Sequence, residues 1–199
     1  MSRFNKLKVI EVKNEIADAV SITFLVPDEL KATYAFKPGQ YTTLKLMVDG
    51  ENVNRSYSFC SSPFLNEPPT IAVKRVAGGK GSNFINDNFR PGVEVEVMEP
   101  MGNFHSPISP ENEKHYILFG GGSGITPVMS ILKSVLAVEP KSRVTLFYGN
   151  RNEDSIIFKD KLDDLLPRFA NRLKIVHILD AALRQWSGYE GFIVKDMAL

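Results

Sequence analysis

The hydrophobic rhythm of this chain changes near its middle, and that change limits the possible architectures more than any other feature. In the first half apolar residues recur at every second position. Val20, Ile22, Phe24 and Val26 form one such series, and Val93, Val95 and Val97 alternate with Glu94 and Glu96 in another. This is the period of a half-buried strand. Further strands are expected at 7–12, 41–48, 54–60 and 70–76, with a short helix over Ser82–Phe89. Pro27, Pro38-Gly39, Gly50, Pro63, Pro68-Pro69, Gly78-Gly79 and Pro91-Gly92 punctuate them. Many short strands with regular turns predict an antiparallel barrel or sandwich.

After the polar, proline-bearing stretch Ser106-Pro107-Ile108-Ser109-Pro110-Glu111-Asn112 the pattern is different. Strands at 115–119, 143–148 and 173–179 alternate with helices at 127–138 and about 156–166, the rhythm of βαβ units around a parallel sheet. The chain therefore divides into an all-β domain over 1–108 and an α/β domain over 109–199. Three strands and two helices leave a parallel sheet short of cover on its two faces. The tail 180–199, with Trp186, Gly188 and Gly191, heads towards another helix. The expectation is that the α/β domain is incomplete and that the native chain continues past Leu199. Trp186 is read equally well as core or as an interface with further sequence.

Composition removes several classes of function. The 24 basic and 23 acidic residues leave a net charge of +1, so no general basic field would attract nucleic acid or an anionic membrane. No uninterrupted apolar run approaches the ~20 residues of a membrane span, and the N-terminus has no signal-like stretch. The single cysteine, Cys60, excludes a disulfide framework within the chain and suits a reducing compartment, hence the cytoplasm. It is read as a small buried apolar residue rather than a nucleophile. Three scattered histidines, His105, His115 and His177, do not make a metal site. His177 lies in an apolar strand and is read as a satisfied core histidine.

Three segments carry chemistry. In the first, Gly120-Gly121-Gly122-Ser123-Gly124-Ile125-Thr126-Pro127 follows the hydrophobic Tyr116-Ile117-Leu118-Phe119 and opens a helix. Glycines there let a ligand approach the backbone closely, and the free N–H groups of the helix start face an anion such as pyrophosphate. A ligand-free turn would need fewer glycines. The spacing is not the usual dinucleotide fingerprint, and the next strand ends Phe147-Tyr148-Gly149-Asn150-Arg151 without the acidic residue that an NAD ribose would want. In the second, Arg55-Ser56-Tyr57-Ser58 puts a cation and a flat ring on one face of a strand. That suits a ligand with a phosphate and an aromatic ring, although alone it would equally describe an exposed arginine beside a core tyrosine. The third, Gly78-Gly79-Lys80-Gly81-Ser82, offers another helix start with Ser82 as N-cap. Taken singly, it would serve as well as a glycine turn with a structural cap.

Together these segments resemble the ferredoxin–NADP reductase superfamily, and most nearly the reductase components of multicomponent oxygenases, the phenylacetyl-CoA oxygenase type among them. Arg55-Ser56-Tyr57-Ser58 matches the family's R-x-Y-S flavin motif, and Gly81-Ser82 its flavin diphosphate loop. Gly120 to Pro127 matches its nicotinamide-nucleotide motif. Pro38-Gly39-Gln40-Tyr41, Pro100-Met101-Gly102-Asn103-Phe104 and Tyr148-Gly149-Asn150-Arg151 match three further segments, all in the family's order.

The resemblance implies an antiparallel Greek-key flavin-binding β-barrel followed by a partial parallel α/β domain that binds a nicotinamide nucleotide. It implies FAD and either NADPH or NADH as cofactors, with a hydride passing from nicotinamide to flavin. Electrons would then pass to an iron–sulfur protein or domain, with an oxygenase component beyond it. Arg55 would pair with the flavin diphosphate. Tyr57 would pack on the flavin, and Ser58 would hydrogen-bond near its N5, which makes these two the residues nearest the chemistry. Ser56 belongs to the same motif. Lys74 and Val76 would hold the flavin through backbone contacts, and Gly81 and Ser82 its phosphates. Gly122, Gly124 and Thr126 would bind the nicotinamide nucleotide, and Arg151 would meet an adenosine 2′-phosphate, with Glu153 and Asp154 close by. The family's C-G-P motif is not found in these 199 residues, nor are the four cysteines of a plant-type [2Fe-2S] domain, so that cluster would belong to further sequence. Two other readings stay open: a stand-alone flavin reductase, and a non-catalytic flavin- or nucleotide-binding regulatory module.

Overall fold

A computed structural model of the chain describes residues 4–194. Its first half is a six-stranded antiparallel sheet built from β1 (Phe4–Ile16), β2 (Ala19–Leu25), β3 (Tyr41–Val48), β4 (Glu51–Ser58), β5 (Thr70–Lys74) and β6 (Glu94–Met98), with α1 (Lys80–Asn88) between the last two. The strands lie in the Greek-key order β4-β3-β6-β1-β2-β5. The two ends of the sheet meet where Phe59 bridges Ile71, so the sheet curls into a barrel. Alternation does what the sequence predicts: Val20, Ile22, Phe24, Val95 and Val97 all point inward and are buried. Phe36 stacks on Phe59 inside, with ring centres 4.3 Å apart. Ile85 of α1 and the adjoining Phe89 join this core, so the helix packs against the barrel.

The second half contains β7 (His115–Gly121), α2 (Ile125–Val138), β8 (Arg143–Asn150), α3 (Lys159–Arg168), β9 (Leu173–Leu179) and β10 (Tyr189–Glu190). The four strands are parallel, in the order β10-β9-β8-β7. Val144, Leu146 and Tyr148 of β8 pack with α2 and α3 in one apolar cluster, which also takes in Ala19, Cys60 and Ala72 of the barrel. On the opposite face Phe147, Val176 and Ile178 are covered by Ile193. There Ile117 and Phe119 remain 42% and 49% exposed, although Phe119 stacks on Phe147 at 5.3 Å.

Several boundaries differ from expectation for identifiable reasons. β4 stops at Ser58 because Phe59 leaves it to bridge Ile71. α1 starts at Lys80, two residues early, so Ser82 is inside the helix and is not its N-cap. Its hydroxyl accepts the N–H of Val76 at 3.1 Å and ties down the preceding loop. α3 starts at Lys159 because Ile156, Ile157 and Phe158 are drawn into the core, and Phe158 turns the chain with φ +64°. In the tail a two-residue strand beside β9 takes the place of the expected helix over its described part, and residues 195–199 lie outside the described range. Trp186 packs against the core cluster and donates its indole N–H to Tyr189 C=O at 3.1 Å. His177 is not the satisfied histidine expected: its Nδ1 is buried without a hydrogen-bond partner among the described residues.

Candidate functional site

The end of β4, the end of β5 with the loop after it, the start of α1 and the start of α2 converge on one cavity of about 590 Å³. Its lining includes Arg55, Ser56, Tyr57, Ser58, Lys74, Val76, Gly81, Ser82, Gly124 and Thr126. Ten positions singled out from three separate segments are thus brought to one place. Gly122 and Arg151 lie outside the lining, Gly79, Ser123 and Pro127 join it from within the glycine segments, and Ala72 belongs to it without having been expected. A larger groove of about 840 Å³ opens elsewhere, between the outer face of β1 and β2 and helices α2 and α3. It holds none of the motif residues, and its charges are of mixed sign.

Strand pairing explains why Arg55 and Tyr57 act together. They face Leu44 and Thr42 of β3, so both side chains leave the same side of β4. Arg55 is exposed, donates to the neighbouring Asn54 C=O at 2.8 Å, and forms no ion pair with a carboxylate among the described residues. Lys74 has only a loose contact with Asp18, at 3.7 Å. The cavity therefore holds two cations with charge to spare. Burial pushes the Tyr57 phenol up to about 12, against the smaller opposing pull of Arg55. The ring stays neutral at ordinary pH. Ser56 bonds sideways to Thr43 at 2.9 Å, whereas the half-buried Ser58 hydroxyl has no hydrogen bond among the described residues and is free to reach a ligand.

The two helix starts complete the walls. Neither α1 nor α2 has a side-chain cap at its N-terminus; α1 leaves first-turn N–H groups for another acceptor, whereas at α2 the preceding turn Gly122–Gly124 takes the Ile125 N–H onto its own carbonyls. The loop before α1 is held by Ser82 and by Asn83, which donates to Val76 C=O at 3.2 Å. At the start of α2 the Thr126 hydroxyl donates to Ser123 C=O at 3.1 Å. The hydroxyl of Tyr148, fully buried in β8, lies between Gly122 C=O at 3.1 Å and Ile157 C=O at 3.3 Å, shares its one proton between them and supports the glycine turn from beneath. Burial raises its pKa, so it remains a donor. This anchor was not legible in sequence because its partner is a backbone carbonyl.

The glycines fit a dinucleotide. A Cβ on Gly121 or Gly124 would meet nothing within 4 Å. The fold alone does not demand glycine there, so the bare backbone clears space for something else. Gly81 is different: a Cβ would stand 2.8 Å from Arg55 Cγ. The residues present therefore suit a ligand with a diphosphate and a flat ring.

At the carboxyl end of β8, beside the glycine turn, Arg151 is exposed. The two acids near it are engaged. Glu153 accepts the N–H groups of Leu183 and Arg184 at 2.9 and 3.1 Å, bonds that hold its carboxyl below the usual range, the Leu183 bond foremost. Asp154 pairs with Arg184 at 3.1 Å.

A barrel and a parallel α/β unit sharing a cavity lined by Arg55, Lys74 and two glycine-bearing helix starts define a two-nucleotide oxidoreductase. The sequence profile of the oxidoreductase FAD-binding domain matches residues 6–106, and that of the oxidoreductase NAD-binding domain matches 118–198. The chain belongs to this FAD- and NAD-binding oxidoreductase family, that of the ferredoxin reductases. It is 41% identical over 178 residues to a 1,2-phenylacetyl-CoA epoxidase component of Escherichia coli K12, covering 89% of this chain and 50% of that protein. It is 44% identical over 182 residues to the ferredoxin reductase component of the 3-ketosteroid-9-alpha-monooxygenase of Rhodococcus rhodochrous, covering 90% and 50%. The chain thus spans about half the length of these relatives. Among solved structures, the CS-b5R domains of human Ncb5or superpose with a TM-score of 0.83 at 26% identity, over 99% of this chain and 57% of that one. No helix among the described residues is long and apolar enough to cross a membrane.

Proposed function

We propose that the chain is the flavin- and nicotinamide-binding part of an oxygenase reductase component, moving a hydride from NAD(P)H to FAD and electrons onward to an iron–sulfur acceptor. The observation that supports this best is the shared cavity, where the Arg55–Ser58 strand faces the Gly124–Thr126 turn. In this reading residues 1–108 bind FAD and residues 109–199 bind the nicotinamide nucleotide.

Bound FAD would supply the chemistry, taking electrons in a pair and releasing them singly. The chain's own residues bind, orient and shield. Arg55 clamps the diphosphate with its planar fork, helped by the first-turn N–H groups at Gly81 and Ser82. Lys74 and Val76 present backbone to the flavin. Tyr57 offers a neutral flat face, and Ser58 donates a hydrogen bond at the reacting edge. Gly122, Gly124 and Thr126 shape the nicotinamide side. Arg151, with both neighbouring acids engaged, meets a 2′-phosphate and favours NADPH. The names of the relatives support an oxygenase system as destination. An acceptor cluster needs more thiolates than this chain's one cysteine, so the acceptor lies on another domain or protein. The free thiol of Cys60 suits the cytoplasm.

The test is the visible spectrum of the purified protein, followed anaerobically as NADPH is added. A yellow protein whose flavin band bleaches is the expected result. A colourless protein that cannot be reconstituted with FAD would overturn the reading.

A further inference from the structure

The segment that follows Ser58 leaves the cavity and runs straight onto α2. Phe59 bridges Ile71, and Cys60 N–H donates to Thr70 C=O at 2.8 Å. The next two residues, Ser61 and Ser62, are 2% and 0% exposed, and across from them Ser130 and Ser134 of α2 are both at 0%. Ser130 Oγ donates to Ser61 C=O at 2.6 Å. Ser62 Oγ lies 2.8 Å from Ser134 Oγ, and Ser134 Oγ donates to Ser130 C=O at 2.7 Å. A hydroxyl has one hydrogen, so the proton between Ser62 and Ser134 comes from Ser62. The Glu67 carboxylate closes the network, taking Ser62 N–H at 2.7 Å and pairing with Lys133.

Thr126, Ser130 and Ser134 recur at four-residue intervals and share one side of α2. Thr126 lines the cavity; the other two grip the barrel one and two turns further on. The two elements that wall the cavity are therefore cross-tied by buried bonds directly behind it. An apolar contact would let α2 slide, because hydrophobic contact has no direction. Here a shift leaves buried hydroxyls unpaired, which is costly.

We infer that Ser130 and Ser134, with Ser61 and Ser62 opposite, are positioning residues that fix the gap between Ser58 and the Gly122–Thr126 turn, across which a nicotinamide faces a flavin. The inference rests on the proposed function for what occupies that gap. The clamp has its own reporter. Cys60 sits within it at the wall of the larger groove, 4% exposed, with its thiol pushed up to about 12 by burial, so it reacts slowly while the interface is closed and faster when it loosens.

The full chain is compared with its Ser134→Ala, Ser130→Ala and Ser62→Ala variants for the rate of Cys60 labelling by dithionitrobenzoate, without nicotinamide, beside circular dichroism and FAD affinity. Labelling about tenfold faster, with dichroism and FAD affinity kept, is expected. Flavin reduction at saturating NADPH should slow in the same variants. Three substitutions at both sides of the interface keep the comparison alive if one fails to fold. Labelling at the wild-type rate in every folded variant overturns the inference. A wild-type chain whose flavin never bleaches counts against the proposed function alone, since the labelling needs no nicotinamide.

Discussion

The aliphatic stem of Arg55 crosses the start of α1 directly over Gly81, where a Cβ would stand 2.8 Å from Arg55 Cγ. The missing side chain lets a guanidinium and an uncapped helix start converge on one spot. Gly81→Ala should displace the stem and weaken FAD retention about tenfold, and Arg55→Ala should weaken it by about 10- to 100-fold, the range for a hydrogen bond to a charged group. Titration of the apoprotein with FAD checks both. A fully loaded Arg55→Ala protein after dialysis would contradict the assignment.

Ser58 has a hydroxyl with no other hydrogen bond among the described residues. Ser58→Ala is expected to slow flavin reduction several-fold, by about the worth of one hydrogen bond, while FAD stays bound. Stopped-flow absorbance at the flavin band reads the rate. An unchanged rate would leave Ser58 without a part in the chemistry.

Tyr148 holds the glycine turn through Gly122 C=O, at 3.1 Å. Tyr148→Phe keeps the ring and removes the bond, leaving Gly122 C=O with only the Ile125 N–H as donor. A stability loss of about 1–2 kcal/mol is expected, together with weaker nicotinamide binding and unchanged FAD affinity. Chemical denaturation and calorimetric titration separate these effects.

The two acids that follow Arg151 in the chain, Glu153 and Asp154, are already engaged by Leu183 and Arg184. Arg151→Ala should raise the KM for NADPH about tenfold and leave that for NADH nearly unchanged. Equal effects on the two nucleotides would remove the 2′-phosphate role.

His177 gives a pH signature. Burial holds its pKa below the ordinary 6.5, with Asp163 and Lys159 acting in opposite directions. A neutral ring is favoured in the fold, so its contribution is complete above pH 6.5 and is lost as pH falls through the lower folded value. His177→Phe keeps a ring beside Tyr148 and removes the unpaired nitrogen. The variant should lose the fall in melting temperature that sets in below pH 6.5 and gain about 1 kcal/mol. The same fall in both proteins would locate the effect elsewhere. The Glu139 carboxylate acts in a separate, more acidic window. Burial alone would raise its pKa, but bonds from Ser142, Asn112, Ser109 N–H and Tyr116 outweigh that and hold it below 4.5.

Much of this was legible in the chain. Alternation exposed the barrel strands because one face of each meets the core, and the Arg55 and Gly120 segments announced themselves through residue types that a plain strand or turn does not require. What sequence could not supply was long-range geometry. The pairing of Ser62 with Ser134 spans 72 positions, and serines in such places look like ordinary surface residues. Phe158 carries no sign that it takes a left-handed turn, so α3 starts later than its apolar pattern suggests. Ser82 looks like a cap, but the actual first turn lies two residues earlier. The unpaired nitrogen of His177 depends on what β8 and β9 leave beside it, which periodicity does not encode.

The bridge between Phe59 and Ile71 has a bearing on the order of assembly. Ser61 and Ser62 follow Phe59 directly, so the shelf on which α2 rests exists only after the two end strands of the barrel sheet have met. The strands of the α/β half pair only with one another, but its docking must wait for that closure. A nascent chain, which presents the barrel first, would thus complete its template before the partner that reads it has emerged.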